Sequence, residues 1–254
     1  MLALAPFLLL HPGQVSAKAP GPLVVADREY RYIYTARHGV DGTVGTLSAV
    51  RLSDGKRVAR WNGLPPPGCG PSAAPALPMN RISVIDGRSY AVVCGSDEGR
   101  SNLLLILSRG RLLGRLDFAE QPPAVSWSAQ ERRFVAPVER RVLQPQGNLY
   151  PLLTIYELDP RTAGFRLAMS PRHAPAYAAY YRKLKADTPD GNLIAESLLG
   201  ALVATGDAAL ICSELRNGPL ASVPAEAIDA AAADLKVQGF PDAALAACNA
   251  NGRP

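Results

Sequence analysis

Apolar and polar residues alternate in short runs through the first two thirds of the chain, the pattern of strands with one face in a core and the other in water. The runs fall into three units with a common order of features. The first reads LVVADREYRYIYTA and then GTLSAVRLSDGKRVARW, the second ISVIDGRSYAVVCG and then NLLLILSRGRLLGRL, the third VSWSAQERRFVAPV and then PLLTIYELDPRTAGFRLAM. Each has a short apolar strand, a polar turn, a second strand opening on an aromatic residue (Tyr32, Tyr90, Phe134), a variable loop, a third strand, a turn and a fourth strand. The third strands are expected at 47–52, 103–107 and 152–158. They are followed by the turns Ser53-Asp54-Gly55-Lys56, Ser108-Arg109-Gly110 and residues 159–164, whose Gly and Asp suit the left-handed backbone of a tight hairpin.

Four short antiparallel strands repeated in this way resemble the blades of a β-propeller. VSWSAQERRFVA is similar to the strand-turn-strand of TolB-like and WD40-like blades, and VRLSDGKRVARW is similar to the outer hairpin of quinoprotein-type blades. The resemblance covers residues 23–169, without a WD dipeptide, a Gly-His pair or a tryptophan-docking repeat. It implies three propeller-like blades, fewer than the about four that close the smallest rings. Closure then falls to a further strand pair around Gly206-Asp207, to edge pairing with a second copy, or to helices capping an open array. A β-sandwich with added helices is the alternative fold, since its strand spacing is similar.

From residue 174 Pro thins out, Ala rises and the period lengthens to that of helices, expected at 176–186, 193–203, 225–238 and 242–249. Pro224 stands where a helix begins, Gly239 where one ends. The chain therefore reads as mainly β with an α-helical C-terminal region, divided as a β-repeat domain over 22–170 and a helical region over 171–254.

Ahead of both, MLALAPFLLLHPGQVSA reads as a signal peptide over residues 1–17, its apolar run too short to span a bilayer and its end a small-x-small site. This predicts a periplasmic or secreted protein without a transmembrane segment. In an oxidising compartment the four cysteines are expected to form two sequence-local disulfides, Cys69–Cys94 and Cys212–Cys248; no CxxC and no neighbouring His favours a metal. With 48% hydrophobic and 19% charged residues, the composition excludes a disordered or collagen-like chain.

The net charge of +5 is uneven. Residues 18–172 carry 21 basic and 13 acidic side chains, net +8, and the remainder carry six and nine, net −3. Of the 27 basic residues only Lys18, Lys56, Lys183, Lys185 and Lys236 are lysines. The arginines are spread over all three units. This reads as a solvated surface able to touch an anionic partner such as lipid headgroups or a polysaccharide, while nucleic-acid binding is not expected.

Catalytic signatures are missing. There is no G-x-S-x-G elbow and no P-loop, and beyond the leader the histidines are His38 and His173 alone. Ser53-Asp54-Gly55-Lys56 matches S-x-x-K by letters but sits in a hairpin turn. The loop containing Asp97 and Glu98 is rich in oxygen ligands without the spacing of a calcium-binding loop. No metal, cofactor or catalytic residue is assigned. The candidate binding residues are His38 and Asp41, neighbours in one loop, and Tyr177, Tyr180 and Tyr181, which share a helix face. Core packing is the simpler role for the tyrosines. The expected function is that of an exported, non-catalytic binding or scaffold protein of the cell envelope, joined to a protein partner or to itself. The alternative is an envelope enzyme or an accessory subunit of a dehydrogenase or hydrolase.

Overall fold

The computed structural model describes residues 23–39, 42–69, 76–97, 101–118, 122–143, 149–169, 171–187, 195–241 and 248. The expected signal peptide, Asp41, Glu98 and most of the expected helix over 242–249 lie outside them. Twelve strands come first: β1 (Leu23–Ala26), β2 (Tyr30–Gly39), β3 (Gly42–Arg51), β4 (Arg57–Leu64), β5 (Arg81–Ile85), β6 (Arg88–Asp97), β7 (Ser101–Ser108), β8 (Arg111–Phe118), β9 (Ser126–Ser128), β10 (Arg133–Leu143), β11 (Leu149–Leu158) and β12 (Phe165–Leu167). Helices α1 (Ala174–Asp187), α2 (Ala195–Thr205), α3 (Ala208–Asn217) and α4 (Ala225–Val237) follow a one-turn 3₁₀ segment, Pro171–His173.

The strands form three four-stranded antiparallel meanders, each built from four consecutive strands. We call them sheets A (β1–β4), B (β5–β8) and C (β9–β12). The three units read in the sequence are these three sheets. The sheets are stacked, and side-chain parity in the central strands gives their order. Ala91 and Val93 of β6, with Leu103, Leu105 and Leu107 of β7, pack on Tyr32, Tyr34, Leu47 and Ala49 of sheet A. The alternate residues Tyr90, Val92, Cys94, Leu104 and Ile106 pack on Phe134, Ala136, Val138 and Leu158 of sheet C. Sheet B is thus buried on both faces, which is why β6 and β7 read as nearly unbroken apolar runs instead of alternating. Full burial of each such Leu or Ile contributes about 1.5–3 kcal/mol.

Sheet C also packs on the helices. Val142, Tyr150, Leu152 and Ile155 lie in one core with Tyr177, Leu198, Leu199, Leu202 and Leu235 of the helices. The sheets are therefore layered A, B, C, with the helices against part of sheet C. Among the described residues no further strand closes the stack into a ring. The strand pair expected around Gly206-Asp207 is instead a helix-turn-helix: Gly206 ends α2 with φ of 68°, and the Asp207 carboxylate accepts from the Leu210 N–H to cap α3. An aspartate at this position satisfies one of the free N–H groups of a helix start, so the segment propagates as helix.

Two disulfides are present. Cys69–Cys94 ties the β4–β5 connection to β6, and Cys212–Cys248 ties α3 to the residues after α4, across 25 and 36 residues. Among the described residues no helix is long and apolar enough to cross a membrane.

Candidate functional site

Up-and-down meanders put alternate hairpins at opposite ends of a sheet. The strand registers put the β1–β2 and β3–β4 turns of sheet A at one end, and likewise the β5–β6 and β7–β8 turns of sheet B and the β9–β10 and β11–β12 turns of sheet C; contacts between sheets bring these three ends together. The turns take their shape from positive φ at Gly55, Asp86-Gly87, Arg109-Gly110, Arg132 and Ala163-Gly164. Two backbone contacts stitch them together across layers. The Gly110 N–H donates to the Tyr32 hydroxyl at 3.1 Å, and the Gly164 N–H donates to the Leu113 carbonyl at 2.6 Å. Gly110 is required twice over: its φ is 70°, and a Cβ there would stand 2.7 Å from Val58 and 2.9 Å from Tyr30.

Between these turns lies a cleft of about 560 Å³ lined by Tyr30, Arg51, Val58, Arg88, Tyr90, Ser108, Arg109, Gly110, Arg111, Leu113 and Pro160. Four arginines thus face one opening, and among the described residues no carboxylate lines it. The nearby acids are engaged locally. Asp27 accepts from the Glu29 and Tyr30 N–H groups, Asp54 from the Lys56 N–H and from Arg51 at 3.1 Å, and Asp159 from the Arg161 N–H. Arg88, Arg109 and Arg111 have no ion pair or side-chain hydrogen bond with another described residue. A smaller recess shares Arg88, Tyr90 and Pro160 with the cleft and adds Asp86, Trp127, Arg132 and Arg161; Arg132 lies 3.6 Å from Asp86. Tyr90, Trp127 and Phe134 pack edge to face beside it, with the Phe134 ring centroid 4.9 Å from each of the other two.

The sequence candidates lie elsewhere. His38 is in β2, paired with Thr43 at the end of sheet A opposite Tyr30 and Arg51. Tyr177, Tyr180 and Tyr181 are buried in the core between sheet C and the helices, and none of them lines the cleft. The Tyr177 hydroxyl accepts from the Ile155 N–H at 3.0 Å and donates to the Ala168 carbonyl, and the Tyr181 hydroxyl donates to Glu214 at 2.6 Å. Burial raises all three phenols, Tyr177 to about 12, with Glu139 adding to the effect at Tyr180 and Glu214 at Tyr181.

His173 meets Glu157, with Nε2 2.7 Å from Oε1. The same carboxylate also accepts from Arg133 and Arg172, and Arg172 pairs with Glu131. This cluster clamps sheet C to the first turn of the helical region, and His173 does not line the arginine cleft. Among the described residues no group of three His, Cys, Asp or Glu side chains gathers as a metal site would require.

The arginine cleft was not foreseen, because its residues are far apart in sequence. A signal was present: Arg51 ends β3, Arg88 begins β6, Arg109 occupies a turn and Arg111 begins β8, all at hairpin ends that the repeat would superpose. No family model matches this chain, and no curated protein and no solved structure matches it.

Proposed function

We propose that the chain is an exported, non-catalytic binding protein of the cell envelope, periplasmic or secreted, whose propeller-like sheets present their shared turn end to a partner. The observation that carries this reading is the arginine cleft. Its wall offers forked donors and the half-exposed ring of Tyr30, the groups of a recognition surface, with no histidine, cysteine or carboxylate among its described lining residues to act as nucleophile or general base. The two disulfides suit an oxidising compartment. For the alternative, an envelope enzyme or accessory subunit, the described residues offer the His173–Glu157 pair, whose carboxylate is already committed to two arginines.

The test is retention of the purified chain on isolated cell envelopes, beside a chain carrying Arg88→Gln and Arg109→Asn. Retention at low salt that is lost at high salt, and lost in the variant, supports the reading. Parent chain that passes through unretained at low salt overturns it.

A further inference from the structure

We infer that the arginine cleft takes an acidic oligosaccharide, a run of sugar rings bearing carboxylates. The inference rests on the binding-protein reading above and names the ligand of the same site. Its first support is the choice of cation. Every basic residue of the lining is Arg, whose planar fork holds a carboxylate through two parallel hydrogen bonds, where Lys offers a point charge. The second is distribution. Arg51 belongs to sheet A, Arg88, Arg109 and Arg111 to sheet B, and the adjoining Arg132 and Arg161 to the turns of sheet C. Packed sheets stand about 10 Å apart, so the charges are strung along the stack and match a ligand with charges along its length better than a single phosphate. The third is the rest of the wall. Tyr30, half-buried, places aromatic surface among the cations, as a ligand with apolar ring faces between its charges requires, while Tyr90 is buried against Phe134. The volume of about 560 Å³ is within the range of small-ligand clefts.

Arg109 adds an independent observation. The two hairpin turns of sheet B at this end have the same backbone, with φ of 50° and 72° at Asp86-Gly87 and 50° and 70° at Arg109-Gly110. Asp-Gly is a favoured pair for such a turn, whereas a long side chain in the left-handed region is not. The β7–β8 turn holds an arginine in a conformation that Asn or Asp adopts more readily, and that arginine points its charge at the cleft without a partner among the described residues. A local conformational cost kept at a cleft is what a binding role predicts.

Calorimetric titration with tri-galacturonate, tripolyphosphate and neutral maltotriose tests the inference. Tri-galacturonate is expected to bind, to weaken as salt is raised, and to weaken about tenfold for each of Arg88→Gln and Arg109→Asn, in line with the strength of a charged hydrogen bond. Arg109→Asn is expected to melt at or above the temperature of the parent, so its loss of affinity is not a loss of folding. Tyr30→Ala should weaken tri-galacturonate and leave tripolyphosphate unchanged. Absence of tri-galacturonate binding at low salt overturns the inference, as does binding that ignores both arginine substitutions, or tripolyphosphate binding as tightly with no effect of Tyr30→Ala. If tri-galacturonate fails while the parent is still retained on envelopes and the arginine variant is not, this inference falls and the binding-protein reading stands.

Discussion

Tyr177 joins the helical layer to sheet C through a single hydroxyl. It serves the Ile155 N–H and the Ala168 carbonyl, two backbone groups at the edge of the β11–β12 ladder, and its side chain has no exposed surface. Tyr177→Phe keeps the ring and its packing but leaves both groups buried without that partner. The expected loss is about 1–3 kcal/mol in denaturant unfolding, and an unchanged midpoint would show that the hydroxyl is dispensable. The same burial makes the molecule sensitive to alkali. Burial pushes the Tyr32 and Tyr177 phenols from 10.0 up to about 12, with the Gly110 and Ile155 N–H groups acting in the opposite direction. The unfolded chain gives up these protons near pH 10 and the folded chain holds them to about pH 12. Their neutral, buried form therefore favours folding fully below pH 10, and that contribution drains away as pH rises toward 12. Tyr150, Tyr180 and Tyr181 are raised for the same first reason, with Asp234, Glu139 and Glu214 beside them. In a pH titration the bulk of the tyrosinate absorbance is expected to appear together with loss of the circular dichroism of the fold. Complete ionisation of a chain that keeps its native spectrum would contradict this.

At the scale of elements, α3 shows how a cap decides between two readings of one segment. In GDAALICSEL the residues Ala208, Leu210 and Cys212 alternate as a strand would, and Gly206-Asp207 looks like a hairpin turn. The helical period is also present, since Ile211 and Cys212 turn inward together while Leu210 lies at the margin of the same core. Asp207 settles it by accepting from the Leu210 N–H at 3.0 Å. Asp207→Ala removes that acceptor and is expected to lower stability by about 1 kcal/mol, with Asp207→Asn losing much less; equal losses would point to charge instead of capping. The strands were more legible than this helix. Each sheet is a local meander, so its strands, turns and order follow the chain directly, and the Cys pairs are local in the same sense. What the sequence could not supply is the packing between units. The face that β6 shows to sheet A and the face it shows to sheet C are equally apolar, so stacking order is invisible in the pattern. The cleft depends on that order, and arginines that read as dispersed surface charge become neighbours only once three sheets bring their turn ends into line.

At the scale of the whole molecule, the stack decides what can be removed. Sheet C is held by both neighbours: Phe134, Ala136 and Val138 pack on sheet B, and the helices cover Val142, Tyr150 and Leu152 further along the same face together with Ile155 of the other. Two further links cross the same boundary. Glu157 of β11 holds Arg172 and His173 at the start of the helical region, and the Tyr150 hydroxyl donates to Asp234 of α4. The helices in turn bury Leu198, Leu199 and Leu202 against β11 and against one another, so the helical core does not close without sheet C. A chain ending at residue 170 is therefore expected to expose Val142, Tyr150, Leu152 and Ile155 of sheet C, to bind an apolar dye and to self-associate, since an exposed apolar patch of this kind marks an aggregation site. The intact chain is expected to unfold in one thermal transition, with strand and helix signals lost at the same temperature, because opening either layer uncovers the other's core. Two separated transitions, or a truncated chain that stays monomeric with native strand content, would show that the β-repeat and the helical region are independent domains joined end to end. The packing argues against that outcome: Val142, Tyr150, Leu152 and Ile155 of sheet C sit in one core with Tyr177, Leu198, Leu199 and Leu235, so the helical core is completed by strand residues.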